Sequence, residues 1–187
     1  MAGGKDRSTG AKKFTSSVDF QKLERAEREN RFSEKSDRFY KLERMENESN
    51  YTANRLALSR IADEAYKYCG YKYEEGAEGE DDSIDCSGLV YRAIKDSGYN
   101  PNIERKQAID YREKEWSEPI SETRVLKGDL VHFGNTRTTA HVGIVYNRLT
   151  HEMISAVSEG NNPGVHLSNY KNLDYWTVVM YTRPKRR

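Results

Sequence analysis

Asp85-Cys86-Ser87-Gly88-Leu89-Val90 is the stretch whose reading decides the fold. A polar, acidic loop enters it. Leu89, Val90, Ala93 and Ile94 leave it at the i, i+1, i+4, i+5 spacing of one helical face. Asp85 suits the N-cap of that helix, because a carboxylate there accepts from the free N–H groups of the first turn. Cys86 therefore stands in the first turn, where the positive helix end favours thiolate over thiol by about 0.3–1 kcal/mol. Lowering a thiol pKa from about 8.5 to about 7 takes roughly 2 kcal/mol. The helix end alone is too weak, so a nucleophilic Cys86 requires an imidazole beside it. Without one, Cys86 reads as a small buried hydrophobe. Gly88 leaves room for another backbone or a substrate to approach.

The chain has 187 residues, of which 35% are hydrophobic, with a mean hydropathy of −0.98 and a net charge of +1. That suits one domain plus an appendage, with part of the chain extended or disordered. No global field argues for a nucleic-acid or membrane partner, and no window approaches the roughly 20 apolar residues of a membrane span. Cys69 and Cys86 do not make a disulfide framework. Met1-Ala2-Gly3-Gly4-Lys5 lacks the apolar run of a secretory signal, so synthesis and first residence in a cytoplasm are expected. The acids between Glu74 and Asp85 lack the ligand spacing of an EF-hand. No metal site and no cofactor are expected.

Residues 1–50 read as a charged arm, helical or disordered, and 51–187 as the domain. In the arm, Phe20, Leu23, Phe39, Leu42 and Met45 hint at a thin apolar stripe, with Glu24–Arg28 as an i, i+4 pair. A helix over 51–69 presents Leu56, Ile61, Ala62, Ala65 and Tyr66, and Gly70 ends it. The acidic run from Glu74 to Asp85 reads as a solvated loop. Residues 86–98 form the cysteine helix, 103–117 read as another short helix, and Pro119 interrupts. Strands follow at 130–133, 140–146, 153–157, 165–167 and 176–181, rich in β-branched residues. The basic tail from Arg183 reads as a solvated end. Helices first and antiparallel strands after give an α+β order.

Of four histidines, His141 opens a strand among small and apolar neighbours, as a buried, oriented imidazole would. Thiol-based acyl transfer needs a thiolate nucleophile and an imidazole that takes its proton and later protonates the leaving amine. A third polar group holds that imidazole in one tautomer. A hydroxyl or backbone N–H near the helix start stabilises the oxyanion.

Asp85-Cys86-Ser87-Gly88-Leu89-Val90, Lys127-Gly128-Asp129-Leu130-Val131-His132-Phe133 and His141-Val142-Gly143-Ile144-Val145, in this order, resemble the NlpC/P60 family of cell-wall cysteine peptidases. Gly70-Tyr71-Lys72-Tyr73-Glu74-Glu75-Gly76 is similar to that family's Gly-x-x-Tyr-x-x-Gly. The resemblance covers roughly residues 55–182. It implies a papain-like fold, with N-terminal helices packed on an antiparallel sheet, and hydrolysis of an amide in peptidoglycan stem peptides, often the bond between D-glutamate and the diamino acid. Cys86 is then the nucleophile and His141 the base. Tyr73, Asp85 and Ser87 are expected beside them for substrate or oxyanion contacts. The family's third group, usually His in an Ile-His-Ala pattern, is here Ser155 within Ile154-Ser155-Ala156. Orientation of the imidazole falls to Ser155, to a water, or to Asn161 or His166. Acids replace the family's second glycine, which implies an electronegative groove suited to an amine-bearing stem. The alternatives are a weakly active or inactive interaction module of this fold, or a thiol acyltransferase or amidase. A wall hydrolase without an export signal implies delivery by a phage particle or tail, a secretion apparatus, or lysis, with residues 1–50 docking a protein partner.

Overall fold

The computed structural model describes residues 17–134, 139–158, 163–173 and 176–186. Helix α1 spans Ser17–Tyr66 and α2 spans Cys86–Asp96. The strands are β1 (Ser117–Ile120), β2 (Leu130–Gly134), β3 (Thr139–Asn147), β4 (Glu152–Val157), β5 (Gly164–Asn169) and β6 (Val178–Pro184). They form one antiparallel sheet in the order β1-β6-β2-β3-β4-β5. The chain divides into two units between Asn50 and Tyr51. Among the described residues no helix is long and apolar enough to cross a membrane.

In the first unit Phe39, Leu42 and Met45 lie more than half exposed. Phe20, Leu23 and the Glu24–Arg28 pair fall outside the described side chains.

In the second unit, strand alternation sends successive residues to opposite faces of the sheet. Leu130, Val142, Ile144, Ile154, Ala156 and Val165 pack with Leu58, Ile61, Ala62 and Ala65 of α1 and Leu89, Val90, Ala93 and Ile94 of α2. Val131, Phe133, Val145, Met153 and Tyr181 form a second cluster with Val125 and Tyr170. The apolar spacing of both helices is thus explained by one shared sheet face. Leu56 and Tyr66, expected on the buried side of α1, are largely exposed instead, and Leu58 is buried in their stead.

Gly128 shows why the Lys127-Gly128-Asp129 turn takes its form. Its φ is +95°, and a Cβ there would lie 2.0 Å from the Leu58 carbonyl oxygen of α1. Asp129 beside it is fully buried. It accepts from the Leu126 N–H at 2.7 Å and from Arg183 Nε and Nη2 at 2.8 and 2.9 Å.

Several expectations are corrected. Residues 103–117 form no α-helix: a single 3-10 turn at Asp110–Arg112 sits in irregular chain, because that segment lacks an i, i+3, i+4 apolar stripe. Pro119 does not interrupt but belongs to β1, an edge strand, where a missing N–H is tolerated. The last strand runs to Pro184, so the tail is not a solvated end. Arg183 pairs with Asp129, and Lys185 N–H donates to the Trp116 carbonyl. The acidic stretch before Asp85 is folded rather than loose. Lys72 bridges Ser83, Glu78 bridges Ile84, and the Ser83 hydroxyl donates to Glu74 at 2.8 Å.

Candidate active site

Asp85 caps α2 as expected, accepting from the Gly88 N–H at 2.6 Å. It does more than cap. Its carboxylate also accepts from the Gly76 N–H at 2.7 Å, from Ser87 Oγ at 2.9 Å and from Arg105 Nη2 at 2.7 and 2.8 Å. Arg105 Nη1 donates to Ser87 Oγ at 2.7 Å, and its Nε lies 3.4 Å from Glu78. A Cβ on Gly88 would lie 2.3 Å from the Ala77 carbonyl oxygen, so only glycine lets the acidic loop close over the helix start. Asp85 and Ser87 are therefore at the site, but as its frame. The Asp85 charge is fully engaged, and the Ser87 hydroxyl already donates and accepts.

Cys86 opens α2 at the foot of a cleft of about 640 Å³. Tyr73, Glu75, Glu78, Arg105, Gln107 and Ala140 line it too. The sulfur receives the backbone N–H of Val142 and of Ser87. Pairing of β3 with β4 begins at Ile144–Ile154, which leaves backbone groups ahead of Ile144 for a partner outside the sheet. The Val142 N–H belongs to the peptide that joins Val142 to His141, so the sulfur rests on the backbone of the histidine strand.

The electrostatics differ from expectation. Burial, then the Asp85 charge, push the Cys86 thiol up to about 11, against the two backbone N–H groups and Arg105. The helix start does not yield a thiolate, because desolvation outweighs the terminal dipole. Burial, then the nearby His166, push the His141 imidazole down to about 3. The Tyr73 phenol is held up at about 12, by burial first and the Cys86 charge second, so it stays a hydrogen-bond donor beside the sulfur.

His141 is 2% exposed. Its ring lies 3.9 Å from Trp176 and 5.7 Å from Phe133, between ring centroids. It faces the second core cluster, while Cys86 belongs to the first. Its Nε2 has no hydrogen-bond partner, and neither has Ser155 Oγ, so the expected bond between imidazole and Ser155 is not made. His166 Nδ1 is likewise buried and unpartnered. Asn161 lies outside the described residues. Among the described residues no group of three metal-binding side chains is present.

Sequence reasoning missed Arg105 and Trp176. Arg105 stands in irregular chain with no motif around it, and its role appears only once Asp85 is placed. Trp176 reads as a strand residue, whereas it lies ahead of β6 and covers His141.

Comparison with known proteins agrees with the fold. The NlpC/P60 family pattern matches residues 63–182. A curated Escherichia coli (strain K12) relative, the Murein DD-endopeptidase MepS/Murein LD-carboxypeptidase, is 30% identical over 119 residues, 61% of either protein. The chain thus spans under two thirds of the length of that relative. Among solved structures, NlpC1 from Trichomonas vaginalis superposes with a TM-score of 0.54 at 22% identity, over 69% of this chain and 43% of that one. A Staphylococcus aureus protein of the NLP/P60 family gives 0.55 at 24%, over 70% and 42%. The NlpC/p60 domain of peptidoglycan hydrolase SagA gives 0.52 at 21%, over 66% and 96%. With an α+β fold of two helices on a six-stranded antiparallel sheet, and with the Asp-Cys-Ser-Gly helix start lodged against the histidine strand, the chain belongs to the NlpC/P60 family.

Proposed function

We propose that the protein is a cysteine peptidase that hydrolyses an amide bond in the peptide stem of peptidoglycan. The observation that supports this is the Cys86 sulfur, held at a capped helix start in an open cleft and hydrogen-bonded to the backbone of the histidine strand. In the reaction, sulfur adds to the amide carbonyl while His141 takes the thiol proton and returns it to the leaving amine. Water then cleaves the thioester and restores the thiol. Tyr73, protonated and beside the sulfur, is placed to donate to the developing oxyanion together with backbone N–H groups.

The preferred bond is the D-γ-glutamyl bond to the diamino acid. Asp85 and Glu78 are engaged by Arg105, and Glu75 remains in the cleft wall to meet a stem amine. The curated relative is named for two other cleavages, so product identity decides the bond. Purified sacculi incubated with the protein should release new amine ends, and Cys86→Ala should release none. Mass spectrometry of the soluble products would assign the bond, and equal release by both proteins would remove Cys86 from the mechanism.

One observation favours a second reading, a module of this fold with little activity. The resting thiol and imidazole are both neutral, and the imidazole lacks a partner at Nε2. Under that reading, release from sacculi stays at background for wild type and Cys86→Ala alike.

A further inference from the structure

Buried polar atoms without partners recur on one face of the sheet, among them Ser168 Oγ and Tyr181 OH, and three of them stand on three successive strands: His141 Nε2 on β3, Ser155 Oγ on β4 and His166 Nδ1 on β5. Ser155 and His166 are direct cross-strand partners, so their side chains leave the sheet together. Continuing the Ile144–Ile154 register by one step sets Gly143 opposite Ser155, and His141 is the next residue along that face, diagonal to Ser155. Unpaired buried polar atoms are rare and costly, at about 1–3 kcal/mol each. Three together call for a shared explanation. Ser155 Oγ makes no bond to His141, and a serine, rather than a larger side chain, stands between the two histidines on that face.

We propose that His166, one strand further out than the position that Ser155 fills, is the positioning residue that orients His141. His141 donates its Nε2–H to His166 Nδ1 when the two rings turn toward one another. His166 then carries its own proton on Nε2. That fixes the His141 tautomer with a free lone pair on Nδ1, which is the form a base needs to accept the Cys86 proton. The small Ser155 is part of the arrangement, since a larger residue would block the approach. Trp176, with its ring 3.9 Å from His141, keeps water off the bond. The influence of His166 on the His141 proton affinity fits rings that lie near one another. The inference rests on reading Cys86 and His141 as nucleophile and base.

The test uses the full chain and two readouts. Nitrogen-15 correlation spectra of the imidazoles report the His141 tautomer without any substrate. Wild type should show one tautomer, protonated at Nε2. His166→Ala should show exchange between two, and His166→Asn, whose Oδ1 falls where Nδ1 was, should restore one. In turnover on soluble muropeptides, His166→Ala should lower kcat by about 10–100-fold with KM little changed, as loss of an orienting partner does. His166→Asn should recover most of it. The exchanged pair Ser155→His with His166→Ser should recover more than His166→Ser alone. An unchanged His141 spectrum in His166→Ala overturns the inference, as does full activity in that variant beside an inactive Cys86→Ala, and the hydrolase reading then survives. An inactive wild type overturns the hydrolase reading, and the spectra still decide whether His166 orients His141.

Discussion

Replacing Arg105 by Met tests whether the frame beneath the nucleophile is electrostatic. Asp85 is 6% exposed, and Arg105 supplies both of the Nη2 contacts to its carboxylate. Removing one partner of a buried ion pair costs about 3–5 kcal/mol when the other charge is stranded. Here Asp85 keeps the Gly76 and Gly88 N–H groups and Ser87 Oγ, all within 2.9 Å. The Arg105 side chain is also 22% exposed, so water shares its work. We therefore expect about 2–3 kcal/mol. For a unit of this size that is roughly 5–12 °C in Tm. Urea unfolding followed by tryptophan fluorescence, at constant m, measures it. A double-mutant cycle with Asp85→Asn should give a coupling of about 1–2 kcal/mol. A loss under about 0.5 kcal/mol, or no coupling, would refute the claim that Arg105 holds the helix start.

Three further outcomes are expected. Gly128→Ala forces a Cβ into the Leu58 carbonyl of α1 at a φ of +95°, and should cost about 2–4 kcal/mol in the same urea assay. Stability should drain in acid. Unfolded, His132 and His141 take a proton near pH 6.5, whereas folded neither does so until about pH 3. Acid therefore favours the unfolded chain, and stability is whole above pH 6.5 and falls toward pH 3. The shift of about 3.5 for each is worth up to about 5 kcal/mol, so circular dichroism should place the acid midpoint above pH 3.5, and one near pH 2 would contradict the burial. Finally, iodoacetamide should label Cys86 more slowly than a free cysteine at pH 7 and faster as the pH rises toward 11, while Trp176→Ala should speed labelling at pH 7.

The helix start, the turn at Gly128 and the histidine strand were legible because each depends on a local rule. A capping carboxylate needs free N–H groups ahead of it, and a glycine at positive φ marks a tight approach. A strand buried on both faces reads as a near-continuous apolar run, as Val142 to Val145 does. What escaped is non-local. Arg105 lies 20 residues from Asp85, and nothing in its own neighbourhood marks it. Arg183 looked like a solvated tail because its partner, Asp129, is 54 residues away. The environment of the thiol was only half legible for the same reason. The helix terminus is visible in sequence, but the depth of Cys86 is not, and depth proved the larger influence.

Depth also constrains how the site can work. Passing a proton from Cys86 to His141 at rest moves it from a group at about 11 to one at about 3. At about 1.36 kcal/mol for each tenfold step, that gap of eight is about 11 kcal/mol uphill. Even at contact, opposite charges about 4 Å apart return only roughly 4 kcal/mol at an effective dielectric of 20. That is less than the gap, so a standing ion pair is not the resting state. Burial is the first cause of both shifts, and it acts on them in opposite directions. Whatever brings polar groups into the site lowers the thiol and raises the imidazole together. Relief of one tenfold step on each side closes the gap by about 2.7 kcal/mol. A stem peptide entering the cleft brings amides to the sulfur, and displacement of Trp176 brings polarity to the imidazole. Catalysis then belongs to the occupied site, where the proton moves as the carbon–sulfur bond forms, and a solvent isotope effect on kcat/KM is the signature of that coupling.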